Sequence, residues 1–302
     1  MTLQHRDLGL RQLDGTDLPA VQRILETSEY THYHFGAEEL PDLLNRLPAM
    51  GVFAEKSGSL RRALQGSLQA FLLVNWLVPP SAWLGGFGIV ESEGKRSGVY
   101  LDLLLPPIER IAAARGARTF YYSGNDLEID WLRASLEERS FRLCSLLRSY
   151  DKEDFAIPDP GNEKVLIRPF TVQDAAATVA VEELAFPQLW RHDIASFLQV
   201  QKTYPYFVVA VDAQGIVGYQ YNIVDAGIGY LVRIAVHPRA EGKGVGTRLM
   251  AEAVRYFQKY NVWKIVLNTE EANGRAQALY ERFGFHQIQQ RGFVLERAIA
   301  TR

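Results

Sequence analysis

Residues 230–250 read YLVRIAVHPRAEGKGVGTRLM. An apolar run ends at His237-Pro238. Glu241-Gly242-Lys243-Gly244-Val245-Gly246 then leads straight into Leu249, Met250, Ala253, Val254 and Phe257, an apolar face at helical spacing. Glycines at alternate positions let the backbone turn tightly and expose its N–H groups. The unsatisfied N–H groups and positive dipole of the helix start point to the same place. A buried strand, a glycine turn and a helix in this order build a site for a phosphate or pyrophosphate. A dinucleotide-binding fingerprint needs a further glycine where Thr247 stands, and a P-loop needs Gly-Lys-Ser/Thr after four spacer residues; both are absent.

Around this segment the second half of the chain reads as a strand at 165–169, helices at 172–186 and 191–202, and strands at 206–212, 215–225 and 228–236. A helix at 246–260, a strand at 263–269, a helix at 274–283 and a strand at 285–297 follow. Residues 154–162, DFAIPDPGN, carry prolines, a glycine and turn formers, and read as a linker. The halves on either side share an order. Leu10 to Asp17 opens the first as Ile167 to Asp174 opens the second. Each continues with an apolar strand pair and finishes with a helix and a strand.

The 302 residues allow two ordinary domains. Lys plus Arg number 33 against 35 Asp plus Glu, so no basic field draws nucleic acid or an anionic membrane. Cys144 is the only cysteine, which excludes an internal disulfide and a cysteine zinc cluster; it reads as buried and inert in an apolar strand. The uncharged stretch from Ala63 to Val90 is long enough to span a bilayer, but Pro79-Pro80 cuts it into two strands. The N-terminal residues have no apolar leader region, and a cytoplasmic location is expected. His32 and His34 with Glu38 and Glu39 read as loop polarity, and no metal site is expected.

The segment HPRAEGKGVGTRLM resembles the coenzyme A pyrophosphate loop, Gln/Arg-x-x-Gly-x-Gly/Ala, of the GNAT superfamily of N-acetyltransferases. Leu249 fixes the register, which puts Glu241 at the Gln/Arg position. Arg239-x-x-Gly242-x-Gly244 fits the letters but sets the helix out of step. Asn273-x-x-Ala276-x-x-Leu279-Tyr280 with Phe283-Gly284-Phe285 resembles the family's last-helix motif, and Ala185-Phe186-Pro187 with Trp190 resembles the branch that acetylates protein N-termini. The likeness covers residues 164–297. It implies an α/β (α+β) chain of two GNAT-like domains, 1–153 and 164–302, each a mixed, mostly antiparallel sheet flanked by helices.

The same resemblance implies transfer of an acetyl group from acetyl-CoA to a primary amine, small molecule or peptide, by a monomer or homodimer. Glu241, Gly242, Lys243, Gly244, Val245, Gly246 and Thr247 would hold the pyrophosphate, with Lys243, Arg239 and Arg248 as nearby positive charge. The backbone of Ile234, Ala235 and Val236 would run along the pantetheine and offer an oxyanion donor, and Asn273 would contact the coenzyme. Tyr280, a phenol near pKa 10, would protonate the departing thiolate. The base is open: Asn268, at one family position for it, takes no proton, leaving Glu270, Tyr230, Glu183 or ordered water. Phe186 and Trp190, with Glu183, would line the acceptor pocket.

The first half lacks these features. Val99 to Arg110, VYLDLLLPPIER, reads as a strand passing through Pro106-Pro107 into a helix with no glycine series, and Leu136 stands where Tyr280 would align. The expectation is a degenerate domain that takes no coenzyme. A non-catalytic acyl-CoA-binding module, or transfer of another acyl group, is the alternative.

Overall fold

The computed structural model describes residues 8–54 and 67–300. The leader reading rests in part on residues 1–7, and the uncharged stretch begins at 63–66; these lie outside the described residues. The chain divides into two units. One runs to Cys144 and includes the chain from Val294 onward; the other is Ser145–Phe293. The expected division at the 154–162 segment therefore shifts. The strand before that segment pairs inside the second unit, and the chain's end bonds inside the first, where Ile299 N–H donates to Arg118 O at 2.8 Å.

The first unit contains β1 (Leu8–Gln12), α1 (Leu18–Thr27), β2 (Thr31–Tyr33), α2 (Leu40–Arg46), β3 (Ala49–Ala54), β4 (Ser67–Val78), β5 (Ser81–Ile89), α3 (Ser97–Ala114), β6 (Thr119–Gly124) and α4 (Arg133–Glu137). Its sheet order is β1-β3-β4-β5-β6. The uncharged stretch forms β4 and β5, and no described helix is long and apolar enough to cross a membrane. The strand expected from Val99 is helix α3, which contains Pro106 and Pro107. Tyr100, Leu101, Leu104, Leu105, Ile108 and Ala112 are buried along it, a helical spacing that the continuous apolar run conceals. The strand-to-helix connection is Val90 to Arg96, whose Glu91 accepts the Glu29 N–H at 2.8 Å.

The strand pair β5 and β6 is parallel only over Ser81–Trp83 against Thr119–Tyr121. Beyond that point β2 pairs with β5, Thr31 to Gly88 and Tyr33 to Gly86, and His34 bonds Gly85 O and Ser123 O. His32 bonds the Tyr122 hydroxyl at 3.1 Å, and among the described residues no group of His, Cys, Asp and Glu is arranged to hold a metal. Cys144 is exposed rather than buried, and its thiol donates to Val294 O at 3.5 Å.

The remaining elements are β7 (Arg142–Lys152), β8 (Leu166–Pro169), α5 (Ala175–Ala185), α6 (Ile194–Thr203), β9 (Tyr206–Asp212), β10 (Gly215–Asp225), β11 (Ile228–Val236), α7 (Val245–Lys259), β12 (Lys264–Glu270), α8 (Gly274–Arg282) and β13 (His286–Ala298). The second unit's sheet runs β7-β12-β11-β10-β9-β8, antiparallel throughout except between β11 and β12. One face is covered by α7 and α8, where Met250, Val254, Phe257, Tyr280 and Phe283 share a core; the other is covered by α5 and α6, with Val181, Phe197, Tyr219 and Tyr221. Each large apolar side chain fully buried there contributes about 1.5–3 kcal/mol.

Two irregularities open this sheet. Register between β10 and β11 shifts at Tyr221/Asn222, leaving Val232 without a partner as a bulge. The extra residue puts Leu231 on the α7 face and turns Arg233 to the α5 face, although the two are separated by two positions. On its other side β11 pairs with β12 only over Ile228–Tyr230 and Lys264–Val266. Past Tyr230 and Val266 the two strands part.

Candidate active site

The parted strands form a cleft of about 760 Å³ in the second unit. Leu231 to Val236 line one wall, Asn268, Thr269 and Glu270 the other, and the glycine loop with α8 closes one end. Leu184 to Pro187 and Trp190 border the other end. The β11 wall keeps free backbone groups. His237 N–H bonds β10 at Val217 O, so strand alternation turns Ala235 N–H the same way and points those of Ile234 and Val236 into the cleft.

The loop departs from β11 through His237, whose Nδ1 accepts the Arg239 N–H at 3.0 Å. Gly242 and Gly244 have φ of 71° and 75°, the left-handed region that glycine enters freely, and Gly244 caps α7. The first bond of the helix is Arg248 N–H to Gly244 O at 3.0 Å, so the amides of Val245, Gly246 and Thr247 precede the ladder and face the cleft as an anion site. Asn162 pins the loop from the 154–162 segment. Its N–H donates to Gly244 O at 3.1 Å and its Nδ2 to Lys243 O at 2.9 Å. Gly161 has φ of 77°, and a Cβ there would come within 2.2 Å of Arg248 N. The segment read as a linker is thus a brace for the loop.

Tyr280 lies in the cleft wall, 3% exposed, beside Thr269. Burial, only partly opposed by Thr269, pushes the phenol up and keeps it protonated at neutral pH. Glu270 also lines the cleft and accepts the Ser145 hydroxyl at 2.9 Å. Tyr230 sits at the last position where β11 pairs with β12 and is not among the lining residues. Asn273 lines the cleft while its Oδ1 accepts Ala276 N–H at 3.1 Å as the cap of α8.

At the Phe186 and Trp190 end, Glu183 is exposed and outside the cleft. Its neighbour Glu182 is buried. Glu182 Oε1 accepts from Arg233 Nη2 at 2.6 Å and from the His192 N–H at 2.9 Å, and Oε2 accepts the Tyr219 hydroxyl. Burial would raise this carboxyl, but the His192 bond and the Arg233 charge outweigh it and hold Glu182 below its ordinary range. Burial, aided by the Arg233 charge, holds His192 below its ordinary value. Arg233 also stacks on the Phe186 ring at 3.9 Å and donates to Trp190 O at 2.7 Å. The cation therefore fixes the aromatic wall from within.

Free β11 amides, an anion site at the loop and the buried phenol of Tyr280 thus line one cleft. Comparison with known proteins gives the family. A model of the acetyltransferase (GNAT) family matches residues 173–285, and an uncharacterised N-acetyltransferase of Methanocaldococcus jannaschii is 30% identical over 124 residues, 40% of this chain and 78% of that protein. The chain belongs to the GNAT family of acetyltransferases. A mycothiol acetyltransferase of Pseudarthrobacter chlorophenolicus is 29% identical over 235 residues, 67% of this chain and 71% of that protein. Among solved structures, a tandem GNAT protein from the clavulanic acid biosynthesis pathway aligns with a TM-score of 0.64 at 15% identity, over 98% of this chain and 100% of that one; this is a likeness of fold.

The cleft gathers Ile234, Ala235, Val236, Glu241, Gly242, Gly244, Val245, Gly246, Thr247, Asn273, Tyr280, Glu270, Phe186 and Trp190. Lys243, Tyr230 and Glu183 are not among its lining residues. Two of the cations expected at the loop are engaged elsewhere: Arg239 with Asp212 at 2.8 Å and Arg248 with Glu252 at 3.0 Å. Glu182, Arg233 and Asn162 were missed. The mixed character of Glu182 and Arg233, charged residues inside apolar periodicity, was the available signal for the first two.

Proposed function

We propose that this GNAT chain transfers an acetyl group from acetyl-CoA to a primary amine in the cleft of its second unit. The observation that carries the reading is the parting of β11 from β12 with Tyr280 in the wall and the glycine loop at one end. The amides of Val245, Gly246 and Thr247 hold the pyrophosphate, and an amide of Ile234 or Val236 receives the carbonyl oxygen as it gains charge. The neutral amine attacks the thioester carbon, forming a C–N bond and a tetrahedral oxyanion. That oxyanion collapses, the C–S bond breaks, and the thiolate takes the Tyr280 proton. The amine gives up a proton to Glu270, directly or through water. Burial raises the phenol, so its proton moves only as the C–S bond breaks and charge gathers on sulfur.

The acceptor meets Phe186, Trp190 and the Glu270 carboxylate, a wall suited to an amine with an apolar body. The relatives named mycothiol acetyltransferase make an amino-thiol a fitting first acceptor to try. In the first unit, β2 lies along the β5 edge that corresponds to the free edge of β11, and Leu136 is buried where a phenol would stand. We read that unit as taking no coenzyme. Thiol release from acetyl-CoA, followed across a panel of amines with Tyr280→Phe as control, tests the reaction. Coenzyme binding with no turnover on any amine would favour a non-catalytic acyl-CoA module, and turnover only with longer thioesters would identify another acyl group.

A further inference from the structure

The loop carries an acid, Glu241, where its family pattern has Gln or Arg. Glu241 lines the cleft at the anion site, where a free carboxylate would repel a pyrophosphate. It is not free. Arg275, two residues into the cleft-facing start of α8, forms an ion pair with it, and both side chains line the cleft. Of the other arginines near the loop, Arg239 is held by Asp212 and Gln214 and Arg248 by Glu252, while Arg282, also in the cleft lining, donates to the Thr247 hydroxyl at 2.8 Å.

We infer that Arg275 binds a phosphate of the coenzyme, supplying from α8 the contact that Glu241 cannot make from the loop. This rests on the coenzyme reading above. The Glu241–Arg275 pair is 44% and 58% exposed at its two side chains. Pairs this exposed contribute little and exchange readily. A pyrophosphate held by the loop amides offers the guanidinium two negative charges and a bidentate geometry in place of one carboxylate. Glu241 holds Arg275 over the loop in the empty site and releases it when the phosphate arrives.

Acetyl-CoA is titrated into the full chain by calorimetry at low salt and at about 0.15 M, where screening is strong. Arg275→Ala is expected to bind roughly tenfold more weakly than wild type, with a shallower salt dependence, and Arg275→Lys to fall between them. Glu241→Gln is expected to bind at least as tightly as wild type. The assignment is overturned if Arg275→Ala binds like wild type, or if Glu241→Gln weakens binding as much as Arg275→Ala does, which would make the pair a strut and not a ligand site. If wild type itself fails to bind, the coenzyme reading falls and this assignment with it. Wild-type binding beside an unaltered Arg275→Ala removes this assignment alone.

Discussion

Arg233 Nη2 lies 2.6 Å from Glu182 Oε1, joining the bulged strand β11 to the last turns of α5 through a carboxylate with no solvent exposure. The bulge at Val232 is what turns Arg233 toward α5. Once there, the guanidinium satisfies Glu182, the Trp190 carbonyl and the Phe186 ring together.

Removing the cation leaves that carboxylate buried and unpaired. Arg233→Met is expected to cost about 3–5 kcal/mol in denaturant unfolding. Glu182→Gln with Arg233→Met, which removes both charges, should recover a substantial part of the loss.

The same network sets a pH dependence. His192 is held below its ordinary value of 6.5 in the fold, so the unfolded chain gains protons first as pH falls. Its contribution is complete above 6.5 and is lost as pH drops below it. Glu182, also depressed, adds a second loss below its ordinary value of 4.5. Unfolding free energy should therefore decline from pH 6.5 downward, and His192→Gln should flatten the upper part of that decline.

Gly161, Gly244 and Gly242 separate space from backbone strain. A Cβ at Gly161 meets Arg248 N at 2.2 Å, one at Gly244 meets Asn162 N at 3.2 Å, and one at Gly242 meets nothing within 4 Å. All have positive φ, which costs an alanine about 1–2 kcal/mol. Thermal denaturation of the alanine variants should rank Gly161 as the most damaging, then Gly244, then Gly242.

Most of the cleft was legible because its parts are local. The glycines announce a turn, the apolar face of α7 fixes its register, and the Asn273 to Phe285 pattern marks α8. What stayed hidden is relational. Glu182 and Glu183 differ by one helical position, about 100° of rotation, and only the packed fold decides which faces inward. The bulge that redirects Arg233 leaves no mark in the residue types around Val232. Asn162 acts across the chain on Lys243 and Gly244, so a turn-rich composition showed a linker and concealed a brace. In α3 a continuous apolar run carried a helical spacing that Pro106-Pro107 masked.

Tyr280→Phe keeps the ring in its buried site and removes only the hydroxyl. Stability should change by no more than about 1 kcal/mol. Turnover should fall by roughly 100-fold or more while acetyl-CoA affinity stays within a few-fold, as the proposed part of Tyr280 in the transition state requires.

Acetyl-CoA binding stoichiometry bears most directly on the account. Calorimetric titration of the full chain, with Gly244→Glu as control, should give one site per chain, abolished by the substitution that fills the loop at a φ of 75°. No binding would contradict the acetyltransferase reading of the cleft, and a second site that survives Gly244→Glu would contradict the reading of the first unit.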